Sequence, residues 1–373
     1  MLFRVKDVKM SSIKVLVVDD SSVIRNIIKD TLSKAPNIEV IGEAEDPLVA
    51  RELIKQLNPD VLTLDVEMPK MDGITFLANL MRLRPMPVIM LSTLTTKGAD
   101  ITLKALELGA IDFIAKPSVQ ELLATKDSFK ENLIEKIGQA VTVDQKNFIL
   151  NDNLTKKFSE NQDVLPFEGI SRKNHIVAIG ASTGGTEALK KLLITLPNNS
   201  PPIVIAQHIP KSFSLSFAVR LNELCSMQVH EASHGQKIKQ GNVYIAPGDL
   251  HLEVVHKNGA LFCTLVDTPE VNRHKPSVDV LFDSLLDIAS NAQAILLTGM
   301  GQDGAKGMLR LKQQGAKTIV QDKNSSLIWG MPGKAHAIDA HCLALPLNDI
   351  AKSVLDHAAL SRDGMKEAMY DYQ

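Results

Sequence analysis

Residues 176–185 read IVAIGASTGG. Four apolar residues, three of them β-branched, run straight into a glycine turn, and a helical pattern begins at Thr186. A short apolar run bounded by glycine predicts a strand buried on both faces, as parallel strands are. A strand that breaks at glycine and restarts as a helix puts Ser182 at the carboxyl edge of a parallel sheet, where ligands collect in open α/β folds. Two chemistries fit this turn. Ser182 is a nucleophile at a tight strand-to-helix turn, or the glycines cradle a phosphate at a helix N-terminus.

Outward from this stretch the same unit recurs. Upstream, apolar runs at 13–18, 38–43, 61–64, 88–91 and 111–115 alternate with helical patterns, which predicts a doubly wound parallel sheet over residues 13–135. Residues 1–12 form a polar extension, a helical pattern over about 118–135 closes the first domain, and the weakly periodic residues 136–172 are a linker. A second α/β domain over 173–358 has strands near 176–179, 203–206, 243–245, 294–297 and 318–320. Runs 252–255 and 261–266 flank a glycine turn and predict an antiparallel hairpin, and 359–373 is a charged tail. The expected architecture is two doubly wound parallel-sheet domains, the first flavodoxin-like and the second Rossmann-like with a hairpin added.

Composition removes several classes of function. At 373 residues, 45% hydrophobic and 23% charged, the chain is long enough for a core in each domain. A net charge of −2 and a pI near 6.6 give no general attraction to nucleic acid or anionic lipid. No apolar run is long enough for a membrane span, and the first residues lack a signal-peptide core. Cys225, Cys263 and Cys342 are odd in number and widely spaced, which argues against a disulfide framework or zinc site and for the cytoplasm.

In the first domain the chemically suggestive residues fall at strand ends: Asp19 and Asp20, Asp65, Ser92, and Lys116. Each alone is an ordinary strand-ending or capping residue. Together they converge on one crevice, where three carboxylates call for a hard divalent cation such as Mg²⁺ and a lysine and hydroxyl suit a phosphoryl group. With VLVVDDSS, LDVEMPKMDG, MLST and FIAKPS in order, this domain resembles the receiver domain of bacterial response regulators. The resemblance implies Asp65 as phosphoacceptor, Asp19, Asp20, Asp65 and the Glu67 carbonyl as Mg²⁺ ligands, and Ser92 and Lys116 as phosphoryl contacts. It also puts Phe113 at an aromatic switch position, although by pattern alone Phe113 is core.

In the second domain, two more apolar strands end in polar motifs, Gln207-His208-Ile209-Pro210 and Thr298 through Gly304 with Asp303. Ser182, His208 and Asp303 thus lie at or just beyond parallel strand ends, the set needed for a base-activated hydroxyl. His208 alone is more often a packed residue, and Asp303 beside Gly304 is a plausible turn residue. Several other histidines, His274 among them, compete as the base, but only His208 directly follows a predicted parallel core strand. The glycine turn lacks both GxGxxG spacing and a GK[ST] ending, which weakens the phosphate reading. Amides around Met300 or Thr183 are candidates for an oxyanion hole.

The blocks AIGASTGG, AQHIP, VYIAPGDLHL, HKPSVDVLFDSL, LLTGMGQDGAKGM and MPGKAH resemble the catalytic domain of bacterial chemotaxis protein-glutamate methylesterases, the CheB type. The resemblance implies Ser182 as nucleophile, His208 as base, Asp303 as its orienter and the Met300 amide in the oxyanion hole, with no metal needed for hydrolysis. It implies demethylation of glutamate methyl esters, with deamidation of glutamines, on chemoreceptor signalling helices. A histidine kinase is the implied phosphodonor, and phosphorylation would relieve occlusion of the Ser182 crevice by the receiver. The competing expectation is a receiver-controlled nucleotide-binding or adaptor module without hydrolysis.

Overall fold

The computed structural model describes residues 12–93, 95–116, 126–143, 164–167, 172 and 174–359. The expected N-terminal extension, the start of the helix expected from 118, much of the linker, and the tail beyond Ala359 lie outside the described residues. The chain divides into two compact units between Asn153 and Leu154.

In the first unit β1 (Ile13–Val18), β2 (Ile38–Ala44), β3 (Val61–Asp65), β4 (Val88–Ser92) and β5 (Asp112–Ala115) form one parallel sheet in the order β2-β1-β3-β4-β5. This is the flavodoxin-like order. Helices α1 (Ser22–Leu32), α2 (Pro47–Leu57), α3 (Gly73–Leu83), α4 (Thr96–Glu107) and α5 (Lys126–Ala140) alternate with the strands. Local chemistry sets where they start. Asp46 caps α2 by accepting from the Leu48 and Val49 amides, with Pro47 preorganised at the first helical position. Asp72 does the same for α3 through Thr75.

Helix α5 runs past the expected boundary at 135. Leu133, Ile137, Ala140 and Val143 are all buried, so the first part of the expected linker is core-packed chain. At its other end the Leu165 amide donates to Thr195 O, and Arg172 N donates to Ala358 O. Those described residues are anchored on the second unit. The polar residues between the apolar positions hide this packing from a composition-based reading.

The second unit holds a seven-stranded sheet in which every pairing is parallel. Its strands are β6 (Ile176–Ala181), β7 (Ile203–Gln207), β8 (Gln228–Glu231), β9 (Asn242–Ile245), β12 (Ala292–Leu296), β13 (Lys317–Gln321) and β14 (Leu343–Leu345). The order is β14-β13-β12-β6-β7-β9-β8. Strands β8 and β14 are not among those expected from the sequence. Both are short edge strands: β8 has one buried residue among four, and β14, although apolar, is only three residues long and not fully buried. The expected hairpin is present as β10 (His251–Lys257) and β11 (Ala260–Val266), a separate antiparallel pair. The flanking helices are α6 (Gly185–Leu193), α7 (Lys211–Leu224), α8 (Val278–Asp283), α9 (Ala305–Gln313), α10 (Met331–Ala337) and α11 (Leu347–Ala358).

The central strands β6 and β7 are buried along their whole length. Between β6 and β12 the order of chain progression reverses, which leaves a crevice at their carboxyl ends. The first sheet has its reversal between β1 and β3. Close packing at the second reversal requires glycine: a Cβ on Gly180 would sit 2.2 Å from Val278 Cγ1 and 2.9 Å from Leu296 Cδ1. Gly180→Ala is therefore expected to destabilise the second unit by about 1–3 kcal/mol, as overpacked cores do. Urea denaturation checks this, and an unchanged midpoint would count against the packing account.

Candidate functional site

Each reversal carries a cluster of the residues singled out by sequence. At the first, Asp19, just after β1, and Asp65, the last residue of β3, are buried, while Asp20 is exposed. Lys116, just after β5, reaches Asp19 Oδ2 at 2.7 Å and Asp65 Oδ2 at 2.8 Å. Burial pushes the Asp65 carboxyl up to about 6, Lys116 opposes that shift and Asp19 adds to it. Burial also works against the Lys116 charge, but the two carboxylates outweigh it and raise the pKa.

Carboxylate oxygens of Asp19, Asp20 and Asp65 all lie within 4.8 Å of one another. Three carboxylates against one ammonium leave two negative charges, and the donors are all hard oxygens, so the residues fit Mg²⁺. Glu67 is exposed and donates its amide to Asp65 Oδ1 at 3.3 Å. Ser92 is fully buried, with its hydroxyl 2.7 Å from Thr102 Oγ1. Phe113 is buried, with Lys136 Nζ 5.5 Å from its ring centroid and bonded to its carbonyl.

At the second reversal the tips of three neighbouring strands meet. Ser182 follows β6, and its amide donates to Thr298 O beyond β12. On the other side, the His208 amide donates to Ala181 O. Gly184 and Gly304 have φ of +75° and +82°, so each turn enters its helix through a conformation that suits glycine. Gly299 approaches Ser182 so closely that a Cβ there would lie 2.7 Å from Ser182 Cβ. Gln207 Nε2 holds the Ser182 carbonyl at 3.0 Å.

Asp303 is 1% exposed and accepts five hydrogen bonds. Oδ2 takes His208 Nε2 at 2.9 Å and the Val278 amide at 2.7 Å; Oδ1 takes Asn272 Nδ2 at 2.7 Å, Ser277 Oγ at 2.9 Å and the Asp279 amide at 3.2 Å. Burial alone would raise its pKa, but His208, Asn272 and the Val278 amide hold it well below the usual carboxylate range. The second ring nitrogen of His208, Nδ1, is buried and has no partner among the described residues. No hydrogen bond joins Ser182 Oγ to His208 among the described residues, a looseness common in the absence of substrate.

The Met300 residue is 6% exposed, and its loop is braced from behind. Gly299 N donates to Ile328 O, Met331 N donates to Gly299 O at 2.8 Å, and Gly299 pairs with Trp329. Thr298 Oγ1 accepts the Ile328 amide and lies 3.0 Å from Thr183 O. Burial pushes the Cys225 and Cys263 thiols up to about 12, which removes both as thiolate nucleophiles. Sequence reasoning did not assign roles to Asn272, His274, Ser277 and Asp279. His274 stands in the sequence only as one of several competing histidines, and nothing in residues 272–279 signals that they fold around Asp303.

An acidic pocket with a lysine on one sheet and a hydroxyl, imidazole and carboxylate on another are the sites expected of a response-regulator hydrolase, and the comparisons with known proteins show that class. Residues 177–354 match the CheB methylesterase family, and residues 15–126 match the response regulator receiver domain. A protein-glutamate methylesterase/protein-glutamine glutaminase of Hydrogenovibrio crunogenus is 47% identical over 93% of this chain and 99% of its own length. One of the same description from Saccharophagus degradans is 48% identical over 94% of this chain and 99% of its own length. The solved CheB methylesterase catalytic domain of Thermotoga maritima is 38% identical, spans 49% of this chain and 97% of its own, and has a TM-score of 0.48. The chain belongs to the protein-glutamate methylesterase/protein-glutamine glutaminase family.

The Asp65 shift has a measurable consequence. Because the folded state holds this proton more tightly than the unfolded chain, stability is lost as pH rises from about 4 through about 6. Asp65→Asn removes that penalty. Its stability gain is expected to be near zero at pH 4 and to reach about 2–3 kcal/mol by pH 7 in metal-free buffer. Urea denaturation across this range checks it; a gain independent of pH would refute the shift.

Proposed function

We propose that this chain hydrolyses glutamate methyl esters, and deamidates glutamines, on chemoreceptor signalling helices through Ser182, His208 and Asp303, under the control of phosphorylation at Asp65. The observation that carries the hydrolase reading is the fivefold hydrogen-bonded Asp303, which holds His208 by Nε2 and leaves Nδ1 as the proton acceptor. Family membership supplies the substrate class, since the relatives are named for these two activities.

In this reading, Ser182 Oγ attacks the side-chain carbonyl carbon while His208 Nδ1 takes the hydroxyl proton. Charge developing on the carbonyl oxygen is met by the Met300 amide, which has no acceptor among the described residues, with support from the Thr183 turn. The imidazolium then gives its proton to the departing methoxide as methanol, or to the departing amine as ammonia. Water, deprotonated by His208, attacks the acyl-serine, releasing glutamate and restoring Ser182. Asp303 stays ionised throughout, its proton affinity suppressed by its five donors. No step calls for a metal ion.

In the first unit, Asp65 accepts the phosphoryl group from a histidine kinase. Asp19, Asp20, Asp65 and the Glu67 carbonyl would hold Mg²⁺, which when bound neutralises the charge of the incoming group. Lys116 is already within contact of Asp65. Ser92, whose hydroxyl accepts from Thr102 Oγ1, would turn its own O–H to the phosphoryl group. The sites suit work in the cytoplasm, and no described helix is long and apolar enough to cross a membrane. The nucleotide-binding alternative leaves the bonding of His208 to Asp303 without a use.

Ser182→Ala is expected to lower methanol release from methylated receptor membranes more than about a thousandfold with its unfolding midpoint preserved. Retained turnover would remove Ser182 as nucleophile. Asp65→Asn is expected to keep the basal rate but lose stimulation by a small-molecule phosphodonor with Mg²⁺. Undiminished stimulation would place the control elsewhere.

A further inference from the structure

We infer that His274 is a positioning residue for the His208 base, and that residues 271–274 clamp the His208–Asp303 pair. This rests on the triad reading above. The two imidazoles lie face to face, with ring centroids 3.6 Å apart and planes inclined by 13°. Asp303 fixes one edge of the His208 ring through Nε2, and His274 covers a face. Together they limit both the tilt and the rotation of the ring, and so the direction in which Nδ1 points.

The clamp is built into the backbone. Asn272 and Arg273 are consecutive non-glycine residues with φ of +53° and +67°. Such conformations persist only where the surroundings enforce them, and they gather at working sites. Here Val271 and His274 exchange backbone hydrogen bonds, His274 N to Val271 O at 3.0 Å and Val271 N to His274 O at 3.1 Å. The amide of Asn272 bridges two buried carboxylates, donating to Asp303 Oδ1 and Asp279 Oδ2, each at 2.7 Å. One tight turn thereby holds the orienter with Asn272 and the base with His274.

Stacking also matters during the reaction. When His208 takes the serine proton and becomes a cation, the ring stacked 3.6 Å away still limits its tilt. A flat ring is therefore the required feature at 274.

Two substitutions separate the ring from its polar atoms. His274→Phe keeps the flat face and loses the nitrogens; His274→Gln keeps hydrogen-bonding capacity and loses the ring. In the full chain, assayed by methanol release, His274→Phe should retain kcat within about threefold. His274→Gln should lose about 10–100-fold in kcat with KM changed by less than about twofold, as misplacement of a reacting group does. Wild-type kcat in the Gln variant, or equal loss in both, would overturn the inference. Independently of activity, the ring current of His274 should shift the His208 ring protons in NMR spectra. That shift should vanish in the Gln variant and survive in the Phe variant; His208 signals unmoved by His274→Gln would overturn the stack. Ser182→Ala run alongside separates the two levels. If it stays active the triad itself fails, and if it is inactive while His274→Gln is fully active only the clamp fails.

Discussion

The second unit depends on one buried carboxylate. Asp303 is nearly inaccessible to water, and an ionised group in that position is stable only if its lost hydration is replaced. Donors from Ser277, Val278, Asp279, Asn272 and His208 do this, so one side chain ties α8, the 271–274 turn and the end of β7 to the loop after β12. Asp65 is buried nearly as deeply but has fewer donors, and its proton affinity moves the other way. The contrast suits the roles proposed for them. A group that orients a base must not take up a proton, whereas a group that accepts phosphate can wait partly neutralised until a cation arrives.

Topology puts the chemistry where it is. In both sheets the functional side chains sit beside the place where strand order reverses, because the helices on the two sides part there and leave a crevice. Small residues then let the walls approach. Gly180 meets Val278, Gly299 meets Ser182, and Gly330 lies against the carbonyl of Gly299. The crevice is thus shaped by absent side chains as much as by those that react.

Much of this was legible in the sequence, for physical reasons that also explain the gaps. The central strands announced themselves because burial on both faces demands unbroken apolar runs, as in 176–179 and 203–206. Ser182, His208 and Asp303 stood out because each interrupts such a run with a polar turn. Strands β8 and β14 did not, since edge strands are short and half solvated. The continuation of α5 to Ala140 was masked by the polar residues between Leu133, Ile137 and Ala140. The 271–274 turn was beyond reach for another reason. Nothing in the residues VNRH states that two successive left-handed conformations will carry an asparagine and a histidine to partners more than thirty and sixty positions away along the chain.

The brace behind the Met300 loop has a practical side. Trp329 is the only tryptophan in the chain, and it pairs with Gly299 while its ring lies 6.0 Å from that of His336. Intrinsic indole emission from the whole protein therefore originates beside the crevice that holds Ser182 and nowhere in the receiver. A single optical label thus sits behind the Met300 loop, so that ligand-induced shifts in this loop can be followed without attaching a dye.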